Sequence, residues 1–274
     1  MDFTKMVDKL CEYLTMKNYS ERTIANYRSI ILKFLYHFNR EPIRINQTDI
    51  NTYFLEIKNP SSYKQTKGAL KWFYDVVVKQ PRKFNQLPAR KMEKKLPVIF
   101  SKEEIQKLIS SISNLKHRAI ISTIYSLGLR ICEPLNLEMK DIDSIRMMVH
   151  IRGAKGKKDR YVPLPENLLH LLRQYYSKYR PHKYLFEYKS GEQYSGGSIR
   201  AIFHRACGVA GITKNVKVHS LRHSFATHHI ESGTDISILK NLLGHESIKT
   251  TLIYLSLSSA FISSVKSPGS DMKF

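Results

Sequence analysis

Three prolines divide the chain into two parts. They lie in residues 81–97, PRKFNQLPARKMEKKLP, a basic stretch with little helical or strand periodicity. Proline lacks a backbone N–H and restricts the residue before it, so this segment interrupts regular structure. The sequence therefore predicts an interdomain linker over 81–97, with one domain over residues 1–80 and another over 98–257.

Apolar residues recur at helical spacing through the first eighty residues. Residues 3–14 carry one such set and residues 24–38 another,. Ser20 is predicted as the N-cap of the second helix, a third helix follows, and a fourth starts after Pro60. The pattern predicts a four-helix domain.

The second domain mixes helices with a few short strands. Ser101 and Glu104 form a predicted capping box that opens a helix,. MMVHIR and DRYVPL flank the basic turn GAKGKK and predict an antiparallel hairpin, with KYLFEY as a candidate third strand. The chain is again mostly helical from Ser198, and residues 258–274 are predicted to be a C-terminal tail. The expected fold class is mainly α with a small antiparallel sheet.

The charge of the chain limits its partners. Lysine and arginine number 45 against 23 acidic residues, which gives a net charge of +22, and the basic residues run along the whole length. Such a chain attracts polyanions, so nucleic acid is the expected partner. A ribosome-associated protein and a peripheral membrane protein are the two alternatives that charge leaves open.

Cysteine usage and hydropathy bear on the compartment. The three cysteines, Cys11, Cys132 and Cys207, have neither paired nor ligand-like spacing, so neither a disulfide framework nor a zinc site is predicted. No apolar run approaches the roughly 18 residues of a membrane span. We therefore expect a cytoplasmic protein without a membrane partner.

Four local features carry residues suited to chemistry. Each alone has an ordinary structural reading: a surface ion pair, solvated lysines, a capping histidine with a structural arginine, and a core tyrosine. The adjacent His228 and His229 point about 100° apart on a helix and make poor metal ligands. The four features are Arg130 with Glu133 in SLGLRICEPL, Lys155, Lys157 and Lys158 in the basic turn, His219 with Arg222 in HSLRHSFATHH, and His245 with Tyr254 in LLGHESIKTTLIY.

Taken together, these residues indicate a single reaction. Two arginines grip a phosphate and neutralise the added charge of its transition state. Histidines and a lysine supply proton transfers, and a tyrosine hydroxyl is a nucleophile once its surroundings assist it. The sequence shows no acidic cluster of the kind that holds two magnesium ions. The predicted chemistry is phosphoryl transfer to tyrosine with no metal and no other cofactor.

At these residues the sequence resembles the tyrosine recombinases, the family of phage integrases and Xer-type recombinases. The family's GLRxxE matches residues 128–133, and its hairpin motif matches AKGKKDRYVPL. Its HxLRHxFAT matches residues 219–227, and its LLGHxxxxTTxxY matches residues 242–254. The N-terminal helices look like the family's SAM-like core-binding domain, so the resemblance covers nearly the whole chain.

The resemblance implies a role for each matched residue. Tyr254 attacks the scissile phosphate and gives a 3′-phosphotyrosyl link with a free 5′-hydroxyl. Lys155 protonates the leaving oxygen, and Glu133 orients the site without reacting. The phosphate is clamped by Arg130 and Arg222, with His219 and His245 assisting proton transfer.

The resemblance also implies partners. Double-stranded DNA carrying a recombination site is the expected substrate of a homotetramer, with accessory proteins as a further class of partner and 258–274 as a contact to a neighbouring subunit. Two alternatives stay open, a non-cleaving DNA-binding protein of recombinase ancestry and an enzyme like topoisomerase IB that nicks and reseals one duplex. The predicted DNA contacts are Lys157, Lys158 and Arg160 of the hairpin, together with Arg90 and Lys91 of the linker. The alternative for the linker is that its basic side chains are merely solvated.

Overall fold

The chain forms two units, each described here by itself. The computed structural model describes residues 2–91, 96–153 and 159–257. The units are Met1–Lys95 and Leu96–Phe274, so the division lies inside the segment predicted as a linker. In the described parts of the chain, no helix is both long enough and apolar enough to cross a membrane.

The N-terminal unit contains the four predicted helices. Ser20 caps the second helix by accepting a hydrogen bond from the Thr23 amide, as predicted. Asn59 caps the fourth helix, and Pro60 occupies its first position, where a missing N–H costs nothing,. The helices are α1 (Thr4–Met16), α2 (Glu21–Phe38), α3 (Gln47–Glu56) and α4 (Pro60–Phe73), the last continued by a π-helical turn, Tyr74–Val78.

The first half of the predicted linker belongs to the core of this unit. Phe84 is 1% exposed and packs its ring edge-on against Tyr74 at 5.0 Å between centroids. Leu87 is also buried, and its carbonyl accepts a hydrogen bond from Lys67. Residues 81–91 therefore differ from the expected linker, because their apolar side chains bury themselves among the helices.

The second unit is mainly helical with three short strands, which confirms the expected fold class. The capping box of Ser101 and Glu104 forms as predicted. The helices are α5 (Lys102–Ser110), α6 (Leu115–Ser126), α7 (Glu133–Asn136), α8 (Glu166–Tyr179), α9 (Gly196–Val209), α10 (Val218–Glu231), α11 (Ile236–Leu243) and α12 (Ile248–Thr251), with a 3₁₀ segment at Leu252–Leu257; the strands are β1 (Ile142–Asp143), β2 (Met148–Ile151) and β3 (Arg160–Pro163).

The sheet has the order β1-β2-β3 and is antiparallel throughout. The predicted hairpin is therefore confirmed, as β2 pairs with β3. The prediction of a third strand in KYLFEY is wrong, since Tyr184 forms only an isolated bridge with Glu138. The Glu187 carboxylate accepts hydrogen bonds from the amides of His182, Lys183 and Tyr184, which holds this segment in a turn.

Gly128 allows α6 to pack closely against α10. It lies just after α6 with φ +58°, and a Cβ there would meet Phe225 Cδ1 at 2.4 Å. Its carbonyl accepts a hydrogen bond from Arg222 Nη1 at 2.7 Å. Only glycine combines the left-handed backbone with this close approach.

A buried carboxylate joins distant parts of the second unit. Glu133 is 5% exposed. Its oxygens accept hydrogen bonds from Arg160 Nη1 and Nη2 at 2.9 and 2.7 Å, and from Arg130 Nη1 and the Arg130 amide, both at 2.8 Å. The bidentate fork of Arg160 fixes the start of β3 against α7, because such pairs hold both partners in one plane.

Replacing Gly128 with alanine should destabilise the second unit more than the same change at Gly233. Gly233 also follows a helix in a left-handed conformation, but its added Cβ would meet no described atom within 4 Å. We expect a loss of about 1 kcal/mol for Gly233→Ala from backbone strain. Gly128→Ala should lose about 1–3 kcal/mol more from overpacking against Phe225. Urea unfolding measures both, and equal losses would contradict the close packing.

Glu133→Gln should destabilise the second unit in a pH-dependent way. Burial alone would raise the pKa of the Glu133 carboxyl, but Arg160, the Arg130 amide and Arg222 together lower it. The folded-state pKa thus lies below the unfolded value of about 4.3, so the stabilisation is complete above that pH and is lost as pH falls through the folded-state pKa.

At pH 7 we expect Glu133→Gln to unfold about 3 kcal/mol more easily, because arginine charges stay buried without their partner. The difference between the two proteins should shrink as pH falls below the unfolded value of about 4.3, because unfolding of the wild type then takes up a proton,. Urea midpoints from pH 8 to pH 3 measure this. A difference that persists unchanged to pH 3 would contradict the ion pair's contribution.

Candidate active site

Three arginines cap the C-terminal end of α11. The last carbonyls of a helix have no partner within the helix and form the negative end of its dipole, so cations are favoured there. Each of three consecutive carbonyls accepts a hydrogen bond from a different arginine. The pairs are Arg160 Nε with Leu242 at 2.7 Å, Arg222 Nη2 with Leu243 at 2.5 Å and Arg130 Nη2 with Gly244 at 3.3 Å.

This arginine cluster, Arg130, Arg160 and Arg222, has more positive charge than its buried carboxylate neutralises. Glu133 lies 3.9 Å or less from all three guanidinium groups, which leaves an excess of two positive charges. Burial, and next the charge of Arg130, lower the pKa of Arg222 to about 10, so it is still charged at neutral pH. Such a cluster favours binding of an anion.

His245 lies directly beside the arginine cluster. Gly244 ends α11 with φ +62°, which turns the chain at His245 as its position predicted,. His245 Nδ1 is hydrogen-bonded to Thr251 Oγ1 at 2.9 Å. Burial, and next the charges of Arg222 and Arg130, lower the pKa of His245 to about 4. The ring is therefore neutral at pH 7 in the free protein.

Tyr254 reaches the same place from the turn after α12. It is 2% exposed, and its ring lies parallel to that of His245, with 6.3 Å between centroids. Burial raises the pKa of the Tyr254 hydroxyl, while the charges of Arg222 and Arg130 act against that rise. The tyrosine is thus protonated at neutral pH and close to the positive charge of the cluster.

Sequence reasoning missed one residue of this site, His223. Its Nδ1 is hydrogen-bonded to the Tyr254 hydroxyl at 3.1 Å. Its ring meets that of His219 edge-on at 4.4 Å, one helical turn earlier on α10. The i, i+4 spacing of two histidines on one helix was a signal that could have identified it.

The structure brings together most of the predicted catalytic residues. Lys155, Lys157 and Lys158 lie outside the described residues, which resume at Asp159. Asp159 closes the base of the hairpin by accepting a hydrogen bond from the Gly153 amide at 2.9 Å. Among the described residues, no group of three or more His, Cys, Asp or Glu side chains is placed to hold a metal ion. The residues found together are Arg130, Glu133, His219, Arg222, His245 and Tyr254.

Two predicted DNA contacts are instead buried or internal contacts. Arg160 is 7% exposed, and all three guanidinium nitrogens donate to Glu133 or Leu242. Arg90 is half-buried, donates to the Phe54 and Ile57 carbonyls at the end of α3, and lies over the Tyr63 ring. The prediction that these two side chains bind DNA is corrected, because their donors serve the fold.

Lys91 is exposed and remains a predicted DNA contact. It lies at the end of the described part of the linker, since residues 92–95 are not among the described ones. Its exposure is compatible with either reading of the sequence, a phosphate contact or a solvated side chain.

Comparisons with known proteins identify the family of the chain. Residues 99–260 match the phage integrase family, and residues 6–83 match the phage integrase N-terminal SAM-like domain. A Sinorhizobium fredii protein named as an integrase/recombinase is 35% identical, with 97% of this chain and 88% of that protein covered. The tyrosine recombinase XerC of Halalkalibacterium halodurans is 31% identical, with 88% and 89% covered.

A solved structure shares the fold. The crystal structure of a lambda integrase tetramer bound to a Holliday junction superposes with a TM-score of 0.75 at 17% identity, covering 91% of this chain and 76% of that one. The names of the relatives do not favour the non-cleaving or topoisomerase-like alternatives. The chain therefore belongs to the phage integrase family, the tyrosine recombinases, whose activity is site-specific DNA recombination.

Proposed function

We propose that this chain recombines double-stranded DNA by transferring a strand to Tyr254 and then to a second strand. The observation that supports this is the buried tyrosine beside a cluster with two uncompensated positive charges. A phosphodiester would supply one of the two missing negative charges and its five-coordinate transition state the second, and its phosphorus would lie near the tyrosine oxygen. Preorganised positive charge of this kind is commonly the largest catalytic contribution.

Arg130 and Arg222 are the arginines that we expect to hold the phosphate. Each guanidinium has five N–H donors, and the hydrogen bonds described above use only part of them. Those bonds fix the plane of each guanidinium before DNA arrives. Arg160 holds Glu133 from the other side and so supports the clamp without touching DNA.

The reaction exchanges one phosphoester for another. The Tyr254 oxygen bonds to phosphorus, and the bond from phosphorus to the 5′ oxygen breaks, which gives a 3′-phosphotyrosyl link. The 5′ oxygen leaves with a proton, which we assign to Lys155 by its place in the family's hairpin. A 5′-hydroxyl from a partner strand then reverses the step, and no nucleotide triphosphate is needed because the two esters have similar energy.

The reaction should need no divalent cation. The arginine cluster supplies the charge that metal ions supply in other phosphoryl-transfer sites. Burial, and next the charge of Arg222, lower the pKa of His219 as they do that of His245, so both rings are neutral at pH 7 in the free protein and suited to donate hydrogen bonds to the phosphate oxygens.

We further propose a cytoplasmic location, since all three cysteines are free thiols,.

A covalent capture experiment tests the nucleophile. The probe is a randomised pool of nicked DNA duplexes in EDTA, from which wild-type protein should retain sequences as a covalent adduct on Tyr254. Tyr254→Phe should capture none, because the variant keeps the ring and lacks the oxygen. Denaturing gels and peptide mapping of the adduct provide the readout.

Two other tyrosines provide matched controls. Tyr125 is hydrogen-bonded to His228 at 2.9 Å, and Tyr161 is 59% exposed and stacks on His150. Tyr125→Phe and Tyr161→Phe should both form the adduct. An adduct that survives in Tyr254→Phe, or a strict need for magnesium, would overturn the proposed reaction.

We propose that the chain acts as a homotetramer on two duplexes, as the lambda integrase of the comparison does on a Holliday junction. The predicted subunit contact, residues 258–274, lies outside the described residues. Accessory proteins are further expected partners.

Deleting residues 258–274 should reduce assembly of the tetramer on DNA. Binding of a single protomer to a half-site should persist, because the arginine cluster and Tyr254 lie before the deletion. Sedimentation of the protein with a duplex recovered by covalent capture measures both species. Unchanged tetramer assembly would show that the tail is not the subunit contact.

A further inference from the structure

The Tyr254 hydroxyl is hydrogen-bonded to Nδ1 of His223. We propose that His223 is the base that takes the proton of Tyr254 as the tyrosine attacks the phosphate. This inference rests on the proposed function and adds a catalytic residue to it. It assigns a role to the one side chain that is hydrogen-bonded to the attacking oxygen among the described residues.

The fold gives His223 a fixed position at the nucleophile. Its neighbour on α10, Arg222, is 1% exposed and anchored to the carbonyls of Gly128 and Leu243. Successive side chains on a helix point about 100° apart. Arg222 therefore points toward Glu133, and His223 points toward Tyr254. One helix thus sets the distance between a phosphate-binding arginine and the base.

The charge state of His223 suits a proton acceptor. Burial, and next the charges of His219 and Arg222, lower the pKa of His223 to about 4. The ring is therefore neutral at pH 7, and a lone pair on Nδ1 faces the hydroxyl when the ring proton is on Nε2. The titratable groups around it are His219 and Arg222 on its own helix and Tyr254 on the opposite turn. A bound phosphodiester adds negative charge nearby and favours the protonated ring.

His245, the other histidine next to Tyr254, is less suited to this step. Its Nδ1 is already hydrogen-bonded to Thr251 Oγ1, and its ring lies parallel to the tyrosine ring. That arrangement leaves Nε2 of His245 for a phosphate oxygen. His223 thus serves the tyrosine hydroxyl, and His245 serves a phosphate oxygen.

The proton balance of the step is simple. As the bond between Tyr254 oxygen and phosphorus forms, the hydroxyl proton moves to His223 Nδ1, and the 5′ oxygen leaves with a proton from the donor assigned to Lys155. During rejoining, the attacking 5′-hydroxyl gives its proton to the group assigned to Lys155, and His223 returns its proton to the departing tyrosine oxygen. No oxidant, metal or further reactant enters the step.

His223→Asn tests the base. Asparagine keeps a hydrogen-bonding group near the position of Nδ1 but has no basic nitrogen, so we expect cleavage to slow by about 10²–10⁴-fold. The matched control is His229→Asn, since His229 is on the same helix, half-buried, and hydrogen-bonded through Nδ1 to Thr234 Oγ1 at 3.0 Å. The control should cleave at the wild-type rate. DNA binding and thermal unfolding of each variant are measured alongside.

Two further readouts separate a base from a positioning residue. Single-turnover cleavage of a duplex captured by the wild type should speed up with pH through one ionisation, and this rise should be absent in His223→Asn. A duplex with sulfur in place of the 5′-bridging oxygen has a leaving group that needs no proton. This duplex should restore the cleavage rate of Lys155→Ala, whereas its cleavage by His223→Asn should stay slow.

Each result decides the proposal. Any of three results would overturn the role of His223. These are a wild-type cleavage rate in His223→Asn, a restored rate in that variant with the sulfur-containing duplex, and a pH profile of that variant that matches the wild type. If His223→Asn fails to fold, His223→Phe, which fills the same space with an aromatic ring that has no nitrogen, replaces it in all three measurements. Failure of the wild type to form an adduct on Tyr254 would overturn the proposed function itself, whereas an adduct on Tyr254 with full activity in the histidine variant overturns only this inference.

Discussion

The architecture of the site depends on the carboxylate of Glu133. It lies at the start of α7, accepts from Arg130 three residues earlier, and accepts the fork of Arg160 from β3. Both arginines also donate to the end of α11, so one buried acid links a loop, a strand and a helix that are distant in sequence. Without it, the buried guanidinium groups of Arg160 and Arg222 and the half-buried one of Arg130 would repel one another,.

The same interaction limits how stable the free protein can be. One carboxylate and three helix-end carbonyls only partly compensate the arginine cluster, and buried charges that lack a partner are costly. A more stable protein would carry a second acid there, but that acid would compete with phosphate for Arg130 and Arg222. Incomplete compensation therefore favours binding of an anion at the expense of stability, a trade-off that is common at functional sites.

Local patterns predicted the parts of this chain whose partners are near in sequence. The capping box of Ser101 and Glu104 and the left-handed turn at Gly244 involve contacts within a few residues, and both appear in the structure. The family motifs located the arginines, histidines and tyrosine because their order is fixed even though their spacing spans the domain.

Long-range partners explain the errors. Arg160 pairs with Glu133, 27 residues away, and Arg90 donates to the Phe54 carbonyl, 36 residues away. A basic residue next to a turn looks solvated or DNA-bound when its acceptor is that far along the chain. Phe84 was overlooked in the same way, since a single aromatic residue in a proline-rich stretch has no periodicity to show that it is buried.

Burial sets the protonation states of the attacking pair in a consistent direction. It raises the pKa of the Tyr254 hydroxyl and lowers that of His223, because it disfavours the charged form of each,. The free protein therefore keeps a protonated tyrosine against a neutral imidazole, so the proposed nucleophile is uncharged. In the proposed reaction, phosphate charge favours the histidinium, whereas without DNA the transfer would leave a buried tyrosinate with no phosphorus to bond to, so the tyrosine keeps its proton until its substrate is in place.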